Sequence, residues 1–135
     1  MKKSLFILLF SSSFMFVCAQ TNIKAKDIAL IDKNYQVCLD SGQYMGGCSY
    51  TYYNQMDSCL NVAYKQLQKK LDKTAKAALK KEQVDWLKTR DQEFKSIDQT
   101  NKMEGRDGEM IRESEKAQVV KKRVLVLITK IESSN

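Results

Sequence analysis

Carboxylates are the side chains of this sequence with the widest choice of chemistry, because none of its 135 residues is His. Without an imidazole there is no Ser–His or Cys–His nucleophile pair, and no histidine metal ligand or pH switch. Two carboxylates suffice to hydrolyse a glycosidic bond, and acidic residues crowd one segment at Asp85, Asp91, Glu93 and Asp98. They alternate with Lys and Arg, which is typical of a solvated helix face. We therefore predict no catalytic residue and a protein that is not an enzyme.

The cysteines predict a disulfide and not a metal site. Cys38, Cys48 and Cys59 are spaced by ten and eleven residues, whereas compact zinc sites begin with paired cysteines a few residues apart. Cys38 and Cys48 flank a glycine-containing stretch that can fold back, so we predict a bridge between them. Cys59 lies about 16 Å from Cys48 along one predicted helix, and we predict a buried, leftover thiol there. No metal or other cofactor is predicted.

The first 19 residues have the pattern of an export signal. Lys2 and Lys3 precede apolar residues 5–10 and 14–17, and Val17-Cys18-Ala19 offers a cleavage site. We predict a signal peptide over residues 1–19 and one secreted domain over residues 20–135, in the periplasm or outside the cell. Cleavage leaves no transmembrane span and lowers the formal net charge from +7 to +5, since two Lys and no acid are lost. A lipoprotein acylated at Cys18 is the alternative.

Hydrophobic periodicity predicts the elements that position these residues. Apolar side chains recur at steps of three and four along four segments, and the absence of Pro suits long helices. The predicted helices cover 27–39 with Asp27 as N-cap, 49–72, 74–98 with Thr74 as cap, and 109–131. Loops are predicted over 40–48 and 99–108. The predicted fold class is all-α, a small bundle of three long helices and a short N-terminal helix, stapled by one disulfide.

Two helical segments resemble a known family. MDSCLNVAYKQL (56–67) and LKKEQVDWLKTRDQEF (79–94) follow the residue pattern of the lysozyme inhibitor LprI-like family. Cys38 and Cys48 match its early cysteine pair, and the resemblance covers roughly residues 35–127. Phe94 departs from the pattern, because many relatives have a cysteine of a second pair there. The residues that match the motif are Asp57, Leu60, Asn61, Tyr64, Gln83, Trp86, Arg90, Asp91 and Arg123.

The resemblance implies a protein that acts by contact, inhibiting a lysozyme or another cell-wall hydrolase through steric occlusion. We interpret the motif residues as mainly structural. Asp57 with Arg90, and Asn61 with Gln83, are expected to pair across neighbouring helices, since buried polar groups must be satisfied. On this interpretation, Asp57→Ala lowers the melting temperature.

The segment from Cys38 to Tyr53 is the candidate contact surface, because Tyr supplies a large contact area at low entropic cost. Its tyrosines are Tyr44, Tyr50, Tyr52 and Tyr53. An equally weighted interpretation is that these rings cap the end of the bundle. A positive net charge would repel a basic lysozyme unless a local acidic patch compensates.

The basic surplus suggests an alternative function. Lysines are dense between Lys69 and Lys88 and again between Lys116 and Arg123. Such surfaces attract anionic polymers or lipid headgroups. The alternative is therefore a structural or accessory cell-envelope protein that holds anionic glycan or lipid on its basic helices. No nucleic-acid partner is predicted, because export separates the chain from nucleic acid.

Overall fold

The computed structural model describes residues 22–134, so the predicted signal segment and Cys18 lie outside the described residues. Within this range the chain forms helices and no strand: α1 (Ala25–Asp40), α2 (Met45–Lys70), α3 (Lys73–Thr100) and α4 (Gly105–Ser133). The predicted all-α bundle of three long helices and a shorter first one is confirmed. None of these helices has a stretch that is both long enough and apolar enough to span a bilayer.

The loop predicted over residues 40–48 is shorter than expected, because α2 begins at Met45 and includes Gly46, Gly47 and Cys48. Tyr44 reverses the chain just before this helix with a left-handed backbone (φ 48°). Its carbonyl oxygen accepts the backbone N–H of Gly47 at 2.9 Å. A Cβ atom at Gly47 would overlap the Tyr44 ring. The two glycines therefore lie in the first turn of a helix, with Gly47 under the Tyr44 ring, where the sequence predicts a loop.

The predicted N-caps of α1 and α3 are also wrong. Lys24 precedes α1, and Asp27 lies inside the first turn, where its Oδ2 accepts the backbone N–H of Lys24 at 2.9 Å. Asp72 caps α3 in place of Thr74 and accepts the backbone N–H of Ala75 at 2.8 Å. An acidic side chain satisfies free amide groups at either position, one residue before the helix or three residues into it.

The loop between α3 and α4 is short as well, since α4 begins at Gly105 and not at 109. Arg112 closes this loop, because its Nη1 donates to the carbonyl oxygens of Asn101 at 3.1 Å and Met103 at 2.9 Å. Gly108 faces the same loop, and a Cβ atom there would overlap the Met103 carbonyl.

The core lies mainly between α2 and α4. Each presents small and branched apolar side chains that are buried against the other: Met56, Cys59, Ala63 and Leu67 from α2, and Ala117, Val120, Val124 and Leu127 from α4. α1 adds Ile28 and Ile31, whereas Leu79 is the one buried residue among the 28 of α3. The backbone of α3 approaches α4 more than α2. α3 is therefore an outer helix held chiefly by α4.

The two cysteine predictions have different outcomes in the structure. The disulfide between Cys38 and Cys48 joins the end of α1 to the start of α2, with Cα atoms 5.8 Å apart, and the predicted bridge is confirmed. Cys59 is buried between α2 and α4 as expected, but it is disulfide-bonded. The prediction of a leftover thiol is therefore wrong. It assumed the three cysteines that remain after removal of residues 1–19.

The helices run up and down, so α2 and α4 are parallel and the bundle has two distinct ends. The disulfide end contains the Cys38–Cys48 bridge and the α3–α4 loop. The opposite end contains the α2–α3 turn and the start of α1, where Ile23 donates its N–H to Gln66 Oε1 at 2.8 Å. At 1.5 Å per residue, α2 separates the two ends by about 40 Å. We call the second end the lysine end, after Lys65, Lys69, Lys73, Lys76, Lys80 and Lys81.

Candidate functional site

The disulfide end presents an exposed aromatic surface. The side chains of Tyr44 and Tyr50 are 81% and 61% exposed, and Met45 lies exposed beside them. We call these three residues the tyrosine tip. They border an open cavity of about 1010 Å³ between the α1–α2 junction and the first turns of α4. The α4 side of this cavity is lined by Arg106, Asp107, Glu109, Met110, Arg112 and Glu113.

Tyr52 and Tyr53, the other two tyrosines of the predicted contact set, are less exposed than Tyr44 and Tyr50. Tyr52 is 1% exposed, and its ring stacks on Tyr35 with centroids 4.2 Å apart. Tyr53 is half-buried and meets Phe94 of α3 edge to face, with centroids 6.0 Å apart. Successive residues of a helix point about 100° apart. One segment therefore supplies both exposed rings and rings that cap the bundle.

A polar network holds Tyr52 beneath the tyrosine tip. Its hydroxyl donates to Asp32 Oδ1 at 2.7 Å and accepts from Gln118 Nε2 at 3.2 Å. Asp32 Oδ2 accepts Lys121 Nζ at 2.6 Å. Burial, followed by the hydrogen bond to Asp32, raises the pKa of Tyr52 far above the ordinary value of 10.0. Tyr52 is therefore neutral at physiological pH and links α1, α2 and α4 below the exposed rings.

The charge of the chain is divided between the two ends. Residues 34–64 contain Asp40 and Asp57 and no Lys or Arg. Residues 91–115, which form the last part of α3 and the start of α4, hold eight acidic and four basic residues. By contrast, residues 65–90 hold nine basic and three acidic residues. The disulfide end is therefore acidic, although the whole chain carries a formal charge of +7.

Most motif residues of α2 and α3 meet at a groove between these helices. The groove has a volume of about 390 Å³, and its lining includes Asp57, Leu60, Asn61, Tyr64, Gln83 and Arg90. The pairs predicted across it do not form. Asn61 Nδ2 donates to the Asp57 carbonyl of its own helix at 3.0 Å, and Arg90 Nη2 contacts Asp91 Oδ1 at 2.6 Å. Because α3 packs on α4, Asp57 and Asn61 make no hydrogen bond or ion pair with α3.

Three motif residues, Gln83, Trp86 and Arg123, fasten α3 to α4. Arg123, which is 7% exposed, donates from Nε to Gln83 Oε1 at 3.0 Å and from Nη1 to Glu82 Oε1 at 2.8 Å. Lys130 Nζ contacts Glu82 Oε2 at 2.6 Å. The Trp86 ring lies 5.7 Å from the guanidinium carbons of both Arg90 and Arg123. We call Glu82, Gln83, Trp86, Arg123 and Lys130 the α3–α4 clamp.

Sequence reasoning missed two members of this clamp, Glu82 and Lys130. Glu82 precedes the motif residue Gln83, and Lys130 follows Arg123 by two helical turns on the same face. This spacing could have predicted that Lys130 lies beside Arg123 and that Glu82 is close to both. Hydrogen bonds from Lys130 and Arg123 outweigh partial burial and lower the pKa of Glu82 below 4.5, so the carboxylate is charged at neutral pH.

No group of three or more Cys, Asp or Glu within residues 22–134 is arranged to hold a metal ion. Neither a curated protein nor a solved structure matches the sequence. The sequence model of the family described as Lysozyme inhibitor LprI matches residues 38–127. That segment covers more than half of the chain and includes the disulfide, the tyrosine tip, the groove and most of the clamp. The chain belongs to the lysozyme inhibitor LprI family.

Proposed function

We propose that this protein inhibits a lysozyme by covering its substrate cleft with the disulfide end. Family membership supports a lysozyme inhibitor-like role that requires contact and no catalytic step. One observation carries the choice of surface: the tyrosine tip is exposed at the acidic end of a basic protein. Exposed tyrosines supply rigid, amphipathic contact area, which is the composition of binding hot spots.

The division of charge removes the electrostatic objection to this function. Many lysozymes are basic, and a uniformly basic inhibitor would be repelled. The two ends of the bundle are about 40 Å apart, however, and screening acts over about 8 Å at physiological ionic strength. An approaching lysozyme therefore responds mainly to the end that it meets. The acidic end attracts the lysozyme, and the lysine end points away from it.

The tyrosine tip is also supported from below. The Cys38–Cys48 disulfide fixes the chain reversal at Tyr44, and the Tyr52 network joins α2 to α1 and α4. A surface that is already rigid loses less conformational entropy when it binds. This arrangement suits occlusion of a cleft by a preformed surface.

The predicted export is consistent with the same function. The apolar segment near Lys2 and Lys3 predicts passage to the periplasm or the exterior, where a disulfide persists. We propose that the protein meets its lysozyme there.

The test is a cell-wall lysis assay in which the purified protein is titrated against a basic lysozyme. Tyr44→Ala with Tyr50→Ala should raise the inhibition constant by roughly thirtyfold, the loss of about 2 kcal/mol expected of a hot spot. The matched control is Leu30→Ala with Val126→Ala, which truncates two other exposed apolar side chains and should inhibit like the unsubstituted protein. Absence of inhibition by the unsubstituted protein at micromolar excess would remove the proposal.

A further inference from the structure

The six side chains of the lysine end are concentrated around one tight turn. Lys65 and Lys69 end α2, and the other four begin α3 beyond the two residues Leu71 and Asp72. All six are exposed, and none makes a hydrogen bond or ion pair with another residue of the range 22–134. Asp72, the acidic residue within the turn, is already bonded to the backbone N–H of Ala75. The positive charge of this end is therefore not neutralised inside the fold.

The stability of the fold explains this concentration only in part, because Lys69 in the last turn of α2 complements the dipole of that helix but the lysines of α3 do not. Lys73 and Lys76 lie at the N-terminus of α3, a helix with no acidic residue in its first turn. The N-terminal end of a helix carries partial positive charge, so cations there oppose the helix dipole. Repulsion among the six ammonium groups adds to this cost. A partner that carries many negative charges would reverse both effects.

The position of the N-terminal segment indicates which anionic partner this is. Ile23 is buried beside α2 and bonded to Gln66, so the chain enters the bundle at the lysine end. The sequence before it contains the apolar residues 5–10 and 14–17. Because this predicted export segment leads into the bundle at the lysine end, membrane contact of the segment during export brings the lysine end, and not the acidic end, toward the lipid surface.

We propose that the lysine end is a docking surface for an anionic lipid membrane. The ammonium groups contact lipid phosphates, as in other clusters of four to eight basic residues that adjoin a membrane segment. The acidic end is repelled by the same surface, so the bundle stands upright and holds the tyrosine tip about 40 Å from the lipid. This inference goes beyond lysozyme inhibition and does not depend on it.

The experiment is cosedimentation of the purified protein with vesicles of phosphatidylcholine alone, or of phosphatidylcholine mixed equally with phosphatidylglycerol. The test variant carries K65Q, K69Q, K73Q and K76Q. The matched control carries K33Q, K95Q, K102Q and K122Q, four exposed lysines outside the lysine end. Both variants lose the same net charge, and circular dichroism should show unchanged helix content because all eight side chains are exposed.

We expect the unsubstituted protein to bind the anionic vesicles at low salt and to dissociate from them at high salt. It should not bind vesicles of phosphatidylcholine alone. Partitioning of the test variant should weaken by roughly six-hundredfold, since each of the four lysines near an anionic surface contributes about a fivefold factor. The control should change by a few-fold at most. Equal losses in the two variants would overturn the proposal, as would binding to long-chain polyphosphate without binding to vesicles.

Discussion

The two ends of this bundle are built in opposite ways around the two ends of the same helix, α2. At the start of α2, the chain has a disulfide, a left-handed Tyr44 and no Lys or Arg between residues 34 and 64. At the end of α2, a turn of two residues lies among seven exposed lysines, the six of the lysine end and Lys70, and residues 65–81 include no aromatic residue. The comparison teaches that the net charge describes neither end. Each end has the chemistry for a different partner.

Removal of the disulfide is expected to affect the first end most strongly. Cys38→Ser with Cys48→Ser opens a loop with a sequence separation of 10 residues, which should cost about 2–4 kcal/mol of the free energy of unfolding. Chemical denaturation measures this loss. Lysozyme inhibition should weaken because the reversal at Tyr44 is released, whereas vesicle binding by the lysine end should persist. Unchanged stability and inhibition would show that the bridge does not support the tyrosine tip.

The α3–α4 clamp lies between the two ends, and its loss should affect stability without affecting either contact surface. Arg123→Ala leaves Gln83 without its partner and removes a buried stack on Trp86. We expect the free energy of unfolding to fall by about 2 kcal/mol. Arg106→Ala, which removes an exposed Arg on the same helix, is the control and should be nearly neutral. A folded Arg123→Ala variant that no longer inhibits lysozyme would place the contact near α3 instead.

The Tyr52 network predicts a pH dependence that is specific to the disulfide end. The folded-state pKa of Tyr52 is raised above the ordinary value of 10.0. Its contribution to the free energy of unfolding is therefore complete below pH 10. It is lost as the pH rises further, since the unfolded chain then releases a proton that the folded chain retains. Thermal unfolding above pH 10 should therefore depend less steeply on pH in Tyr52→Phe. Identical slopes for both proteins would contradict the raised pKa that burial and the hydrogen bond to Asp32 give Tyr52.

Asp57→Ala should have the smallest effect. The sequence predicts a buried Asp57–Arg90 pair and hence a lower melting temperature, but the carboxylate of Asp57 has no ion-pair or hydrogen-bond partner within residues 22–134. We now expect a change within about 0.5 kcal/mol, as for surface substitutions. A large loss of stability would instead support the buried Asp57–Arg90 pair that the sequence predicts.

The periodicity of apolar residues was sufficient to predict the class of the fold, because helices with one apolar stripe must bury it against each other. The boundaries were not predictable in the same way. Gly46 and Gly47 usually indicate a loop, and only the structure shows that both are helical and that the Tyr44 ring leaves no room for a side chain at Gly47. Helical phase alone would have separated buried Tyr52 from exposed Tyr50. Asp57 and Arg90 lie on facing sides of α2 and α3, as the sequence predicts, and both line the groove between these helices. The distance between them could not be predicted, because it depends on how α3 packs on α4.

Hydrogen–deuterium exchange of the protein in complex with lysozyme tests the central claim most directly, because it locates the contact along the chain. We predict slower exchange in the segments around residues 40–53 and 105–113, which form the disulfide end, and no change around residues 65–81. Slower exchange at the lysine end, or along the α2–α3 groove with the tyrosine tip unaffected, would contradict the account.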